Sequence, residues 1–368
     1  MSGTQRRTVV KIGSSSLTAS EGGLRREQID YYAEELAALA RTGEGVVLVT
    51  SGAVAAGFAR LGFAKRPKAT HEKQASAAVG QALLMQAYNE AFASRGLVVA
   101  QVLLTRFDFS DRKRVRNASA TLEELLNRGV IPIINENDTV SVDELKFGDN
   151  DTLSALVANL VGARCLVICT DMNGLYTEDP RKNPNAQRIE RVSELNDELF
   201  RMAGGSGSAV GTGGMRSKLE AARIAARGGV QTFVGRASAA GDVLRAATGQ
   251  GDGTYFDAEL QKLSTKKQWV GYHSLPQGCV VVDEGARKAL AEGGKSLLPA
   301  GVKQVEGDFH PGDVIEVALE DGKRIGRGVV NYAAWQLQAA AGLSSEEVLR
   351  RLDVPRIEVI HRDEWVLL

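Results

Sequence analysis

Histidine, the side chain most often used for proton transfer, is scarce: only His71, His273, His310 and His361 occur in 368 residues, and none adjoins another polar motif. Metal-cluster or triad chemistry therefore has no spacing to support it. Cysteine is equally sparse. Cys165, Cys169 and Cys279 form an odd set without CxxC spacing, and the first two bound an apolar run, so they read as inert core thiols in a reducing compartment. Net charge is absent as well, because 45 Lys and Arg balance 45 Asp and Glu. That removes any global electrostatic reason to expect a nucleic-acid or membrane-surface partner. Nowhere do about 18 apolar residues follow one another, and the approach from Thr4 to Thr8 has no signal-peptide shape. A soluble cytoplasmic protein with no membrane partner is expected. Neither GxxxxGK[ST] nor GxGxxG occurs, so the P-loop and dinucleotide-fold readings lose their best support.

What is present is a glycine-rich, enzyme-like composition with 40 glycines and 43% apolar residues. A chain of this length exceeds what one core serves, so two domains are the default. From Thr8 to about Phe256, short β-branched runs (Thr8 to Ile12, Gly45 to Val49, Leu97 to Leu104, Gly129 to Asn135, Arg164 to Cys169, Gly229 to Val234) alternate with helical patterns near 25–41, 71–94, 114–128, 150–162 and 215–227. The strands lack in-out alternation, as expected of a mainly parallel sheet covered on both faces. Between Gly241 and Thr265 turn formers and charges replace this rhythm. Short glycine-punctuated strands follow at Gly278 to Val282, Gly301 to Val305, Asp313 to Val317 and Arg327 to Val330, and they predict a small β-barrel. Ser344 with Glu346 and Glu347 resembles the start of a short helix.

An α/β sheet binds its ligands just past the carboxyl ends of its strands, and several polar segments fall there. Lys11, followed by Gly13 and three serines, could meet a phosphate, although lysine beside small residues also suits a solvated turn. Ser51 and Gly52 open a helix, where the serine would cap it and face an anion. Asn135, Glu136, Asn137 and Asp138 form a polar cluster directly after an apolar run, with Asx-turn formation as the plain alternative. Phe147-Gly-Asp-Asn-Asp151 is the densest acidic site: Asp149, Asn150 and Asp151 precede a helix, and only one of them is needed as cap. Thr170 and Asp171 end a further strand.

A run dominated by glycine from Gly204 to Gly214 enters a helix with Arg216 and Lys218 in its first turn. Positive side chains are disfavoured at the positive end of the helix dipole, so this pair calls for an anion. Glycine-rich approach, free N–H groups and a lysine describe a phosphate cradle without the P-loop spacing; a floppy surface loop is the bland alternative. Lysines on two segments, helix N-termini and aspartates suit phosphoryl transfer, which relies on positioning and charge spreading. A carboxylate acceptor would already be ionised and need no base.

Taken together, Lys11 to Thr18, Ser51 to Gly57, Asn135 to Asp138, Phe147 to Asp151, Thr170-Asp171 with Gly174 to Thr177 and Asp179 to Arg181, and Gly211 to Met215 with Lys218 resemble the amino acid kinase family, in its branch that phosphorylates free glutamate. The rest of the chain resembles a PUA domain. The resemblance implies an αβα sandwich with a mainly parallel sheet over 1–258, a linker at 259–274, a small β-barrel, PUA-like domain at 275–355 and a tail at 356–368. It implies transfer of the ATP γ-phosphoryl group to the side-chain carboxylate of L-glutamate, the first step of proline synthesis, with proline as feedback inhibitor. Lys11 and Lys218 would hold the migrating group and Asp151 would orient them. Ser51, Asp138 and Asn150 would bind glutamate. Thr170, Asp171, Thr212, Gly213, Gly214, Met215, Arg216, Ser217 and Lys218 would line the ATP site, Arg216 standing where the family commonly has a small hydroxyl residue. Mg²⁺ would travel with the nucleotide. Dimers or tetramers are implied. PUA domains elsewhere bind RNA, but with zero net charge Lys266, Lys267, Lys323, Arg324 and Arg327 read as a solvated surface rather than an RNA site.

Overall fold

A computed structural model describes residues 5–19, 21–141, 150–203, 214–259, 263–292, 294–354 and 356–368. Contacts divide the chain into two compact units, one made of 1–108 and 112–262, the other of 109–111 and 263–368.

The first unit is built on strands β1 (Arg7–Ile12), β2 (Gly45–Val49), β3 (Val99–Leu104), β4 (Ile131–Glu136), β5 (Cys165–Cys169), the short β6 (Leu175–Tyr176), β7 (Arg188–Ile189) and β8 (Arg191–Val192), then β9 (Gln231–Gly235) and β10 (Gly253–Phe256). Eight of them form one sheet in the order β3-β4-β2-β1-β5-β9-β10-β8. Six neighbouring strands, from β3 to β9, run parallel, and β10 turns antiparallel to β9. Burial on both faces explains why β2 and β5 read as unbroken apolar runs.

The helices along this part of the chain are α1 (Ser14–Leu17), α2 (Arg26–Arg41), α3 (Ala53–Gly57), α4 (Thr70–Ala93), α5 (Arg106–Ser110), whose last two residues belong to the second unit, α6 (Arg112–Asn127), α7 (Asn150–Leu160), α8 (Asp197–Met202), α9 (Met215–Arg227) and α10 (Asp242–Ala247). Val10 and Ile12 of β1 join one core with Leu36 of α2, Tyr88 and Phe92 of α4 and Val243 of α10. Because side chains alternate along a strand, Val9 and Lys11 face the other way, where α7 packs on β1 and α9 on β9. The topology thus turns from one side of β1 to the other between β4 and β5. The crevice this opens lies at the carboxyl edge of the parallel strands.

Cys165 and Cys169 are fully buried in β5, and burial pushes both thiols up to about 12. They are inert, as their apolar neighbours suggest.

In the second unit a helical stretch, α11 (Thr265–Gln268) continuing through Trp269–His273, precedes β11 (Gly278–Val282), α12 (Glu284–Ala291), β12 (Val302–Gly307), β13 (Val314–Ala318), β14 (Arg324–Val330), α13 (Ala334–Ala340), α14 (Ser345–Arg351) and β15 (Ile360–Leu367). The five strands pair in the order β12-β11-β13-β14-β15. Two stretches expected outside the domain belong to it. Val270, placed in the linker, packs with Val314, Val329 and Val366. Residues 356–368, expected as a tail, contain β15, which pairs antiparallel with β14. Ile360, Trp365 and Val366 are buried there, so the final residues complete the sheet. Ser344 does open α14, through a capping box with Glu347.

Candidate active site

Lys11 sits near the end of β1, and its ammonium lies 2.5 Å from Oδ1 of Asp151. Lys218, in the first turn of α9, reaches Oδ2 of the same carboxylate at 3.0 Å. The Ser217 hydroxyl is also within bonding distance of Oδ2, at 2.9 Å, and of the Gly214 carbonyl. Asp151 is fully buried, and both lysines are nearly so. Burial by itself would push the Asp151 carboxyl upward, but the two ammonium groups beside it hold it well below the usual carboxylate range. Asp151 lies in the first turn of α7, where the helix dipole also favours a carboxylate. The unfavourable placement of Lys218 at the start of α9 is thereby offset by a charge on the neighbouring helix.

Beside this triplet Asn150, the first residue of α7, spreads its amide nitrogen over three acceptors: the Thr50 carbonyl at 2.5 Å, Ser51 Oγ at 2.9 Å and Asn135 Oδ1 at 2.8 Å. Ser51 follows β2 and Asn135 lies in β4, so the amide ties three segments together. The structure corrects one expectation. The residue capping α3 is Gly52, with φ of 109°, and Ser51 makes no cap bond. Its hydroxyl accepts from Asn150 instead. Asn135 likewise is a buried strand residue, with its Oδ1 accepting from the Glu136 N–H, and not the head of an open turn. Asp138 is half-buried in the turn after β4. Phe147, Gly148 and Asp149 lie outside the described residues.

The loop carrying Ser51 is held from below by a close helix crossing. A Cβ on Gly80 of α4 would stand 1.8 Å from the Ala53 carbonyl oxygen, and one on Gly57 would stand 2.0 Å from that of Ser76. Only two glycines let α3 lie so near α4. That approach, invisible in a single sequence, sets the height of Ser51 over the sheet.

Thr170 and Asp171 follow β5 at the same edge. Thr170 donates from its backbone to Gly235, and Asp171 Oδ1 accepts from the Thr170 hydroxyl and the Met172 N–H. The Asp171 carbonyl accepts from the guanidinium of Arg236, at 2.8 Å from Nη2. Asn173 bridges the Arg236 N–H and Asp252. Arg236, a lone arginine just past Gly235 at the end of β9, carries no motif that marks it in the sequence.

At the start of α9 Gly214 is the cap residue and makes no side-chain cap bond. Met215 and Ser217 are half-buried there, and Arg216 is exposed. Thr212 and Gly213 lie outside the described residues, as does most of the glycine-rich run. A Cβ on Gly214 would meet nothing within 4 Å, and one on Gly13 would lie 3.7 Å from the Lys11 ammonium. Open space therefore adjoins Gly214 at the start of α9, which suits phosphate oxygens. For a divalent ion the donor set is different. Among the described residues no three His, Cys, Asp or Glu side chains gather as a cage.

Comparison with known proteins agrees with this geometry. Residues 6–236 match the model of the amino acid kinase family, and 278–352 match that of the PUA domain. The chain is 52% identical over 365 residues to the glutamate 5-kinase of Geobacillus kaustophilus (strain HTA426), covering 99% of this chain and 98% of the relative. With the glutamate 5-kinase of Bacillus cereus (strain G9842) it shares 50% identity over 365 residues, 99% of this chain and all of that one. Among solved structures, carbamate kinase from Giardia lamblia bound to AMP-PNP aligns with a TM-score of 0.50 at 17% identity, over 69% of this chain and 99% of that one, a likeness of fold alone. Among the described residues no helix is long and apolar enough to cross a membrane.

Proposed function

The chain belongs to the amino acid kinase family, and we propose that it transfers the γ-phosphoryl group of ATP to the side-chain carboxylate of L-glutamate, giving L-glutamyl 5-phosphate and ADP. One observation carries the reading: two lysines from distant segments are held on a single buried carboxylate at the binding edge of the sheet. Phosphoryl transfer asks for that arrangement, because charge on the moving group must be neutralised while little covalent chemistry is needed.

In this reading Lys11 and Lys218 bind the oxygens of the migrating phosphoryl group. Asp151, kept ionised by the pair, stays in place as their common tether and sets the spacing between them. The acceptor carboxylate, with an ordinary value near ~4.3, is already the nucleophile at neutral pH, so the absence of a histidine nearby is no obstacle. Ser51, Asn150 and Asp138 lie on the β2–β4 side and recognise glutamate, with Asp138 toward its ammonium. Thr170, Asp171 and the start of α9 from Gly214 to Lys218 line the nucleotide. Mg²⁺ would be held mainly by the phosphate oxygens of ATP and would supply charge neutralisation on the polyphosphate.

The same reading makes this the first step of proline synthesis, with proline as feedback inhibitor and a dimer or tetramer as the working form. The near-complete coverage of the glutamate 5-kinases supports it. The test is an assay of purified protein with ATP, Mg²⁺ and a panel of amino acids, with acyl phosphate trapped by hydroxylamine. Glutamate-dependent hydroxamate is expected; its absence, with aspartate or acetylglutamate accepted instead, overturns the substrate. Added proline and light scattering test the other two points.

A further inference from the structure

Behind Asn150 runs a line of amides that ends on a residue with no direct view of the site. Asn150 donates to Asn135 Oδ1 at 2.8 Å, Asn135 donates to Gln81 Oε1 at 2.9 Å, and Gln81 donates to Gln101 Oε1 at 3.1 Å. The four residues come from α7, β4, α4 and β3 in turn. Burial falls along the line: Asn150 and Asn135 are buried, Gln81 is half-buried and Gln101 is exposed.

An amide can turn over and exchange its oxygen for its nitrogen, so the direction of such a line needs an anchor. Here backbone groups supply it. Asn135 Oδ1 also accepts from the Glu136 N–H at 2.9 Å, and a backbone N–H can only donate. Asn135 must therefore offer its nitrogen to the other side, where Gln81 Oε1 receives it. At the far end the Asn150 nitrogen faces the Thr50 carbonyl, which can only accept. The Asn150 oxygen is then turned away from β2 and β4.

We propose that Gln81 is a positioning residue for substrate recognition: by accepting from the buried Asn135 nitrogen it works with the Glu136 N–H to hold the Asn135 oxygen toward Asn150, and so helps keep the Asn150 amide oriented with its oxygen available to a hydrogen-bond donor of the bound amino acid. The inference rests on the reading of Asn150 as a substrate-binding residue. The location of Gln81 fits such a task, since it follows Gly80, whose close approach to Ala53 fixes this turn of α4 against the segment bearing Ser51. Without an acceptor at position 81, the buried Asn135 nitrogen loses its partner. Turning the amide over would set its nitrogen against both the Glu136 N–H and the Asn150 nitrogen, donor against donor, and break the contact with Asn150.

The experiment compares wild type, Gln81→Met and Gln81→Glu in steady-state kinetics with glutamate and with ATP varied separately. Methionine keeps the length and lacks the acceptor; glutamate keeps an acceptor, and the exposed Gln101 can turn its own amide to donate to it. Gln81→Met is expected to raise the glutamate KM about tenfold, the scale of one unpaired buried polar group, with the ATP KM little changed and the melting temperature lowered by a few degrees. Gln81→Glu is expected to restore the glutamate KM to within about twofold of wild type. An unchanged glutamate KM in Gln81→Met overturns the proposal. So does equal impairment of both variants, or a Met variant that fails to fold, because either result makes Gln81 a packing residue. If the wild type itself shows no glutamate-dependent turnover, the function proposed above falls first, and the relay's effect is then read on whichever amino acid the panel identifies.

Discussion

Lys11 and Lys218 each hold one oxygen of the Asp151 carboxylate, at 2.5 and 3.0 Å, although one lies near the end of the first strand and the other in the first turn of the ninth helix. The carboxylate is fully buried, so the spacing of the two ammonium groups is set before any ligand arrives. Preorganised charge of this kind lowers a barrier more than charge that must be gathered during the reaction.

Lys218→Ala is expected to lower kcat by about 10²–10³, the usual scale for removing one preorganised charge at a reacting centre. Asp151 keeps Lys11 as a partner in that variant, so the protein is expected to fold, with a smaller loss of stability than Asp151→Asn. Near-normal turnover in a folded Lys218→Ala protein removes the lysine from the proposed chemistry.

Asp151→Asn leaves two nearly buried lysines without their shared counter-charge. Breaking a buried pair in this way costs about 3–5 kcal/mol of stability near neutral pH. The pH dependence has a definite sign. The folded-state value of Asp151 lies below its unfolded value of about 3.9, so its contribution is complete above that value and is lost as pH falls from there toward the folded value. Urea denaturation at pH 7 and at pH 3 is expected to show the gap between wild type and Asp151→Asn narrowing in acid. A gap that widens on acidification contradicts the ion-pair account.

Asp138→Ala is expected chiefly to raise the glutamate KM, with kcat changed far less, because the residue is assigned to ground-state recognition. Titration of glutamate at saturating ATP reads this directly. An unaltered glutamate dependence takes Asp138 out of the binding site.

Gly80→Ala forces a methyl group against the Ala53 carbonyl. Overpacking of a close contact costs about 1–3 kcal/mol, and α3 must move to relieve it. A lower melting temperature together with a raised glutamate KM is expected, since Ser51 rides on the displaced segment. Stability and KM both equal to wild type would mean that the crossing is not what holds Ser51.

The course of the first unit was readable from the chain alone, and for a plain reason: strands buried on both faces are unbroken apolar runs, and the helices between them carry their own period. The start of α9 at Met215 and of α7 at Asn150 fell where the charged residues suggested. Other features left no local mark. Gly57 and Gly80 look like ordinary helix glycines until their helices are seen to cross. Arg236 has no pattern around it, and β15 is a charged, short-period stretch that becomes a strand only because β14 offers it an edge.

The residue types available for phosphoryl transfer, and their placement at strand ends and helix starts, were determined by the sequence, because strand and helix propensities act over a few neighbours. Tertiary structure decided which of them meet. A carboxylate between two lysines, a serine released from capping by Gly52 and an amide line from Asn150 to Gln101 each join segments far apart in the chain. Such contacts depend on how the sheet orders its strands and how closely its helices pack, and no window of sequence contains that information.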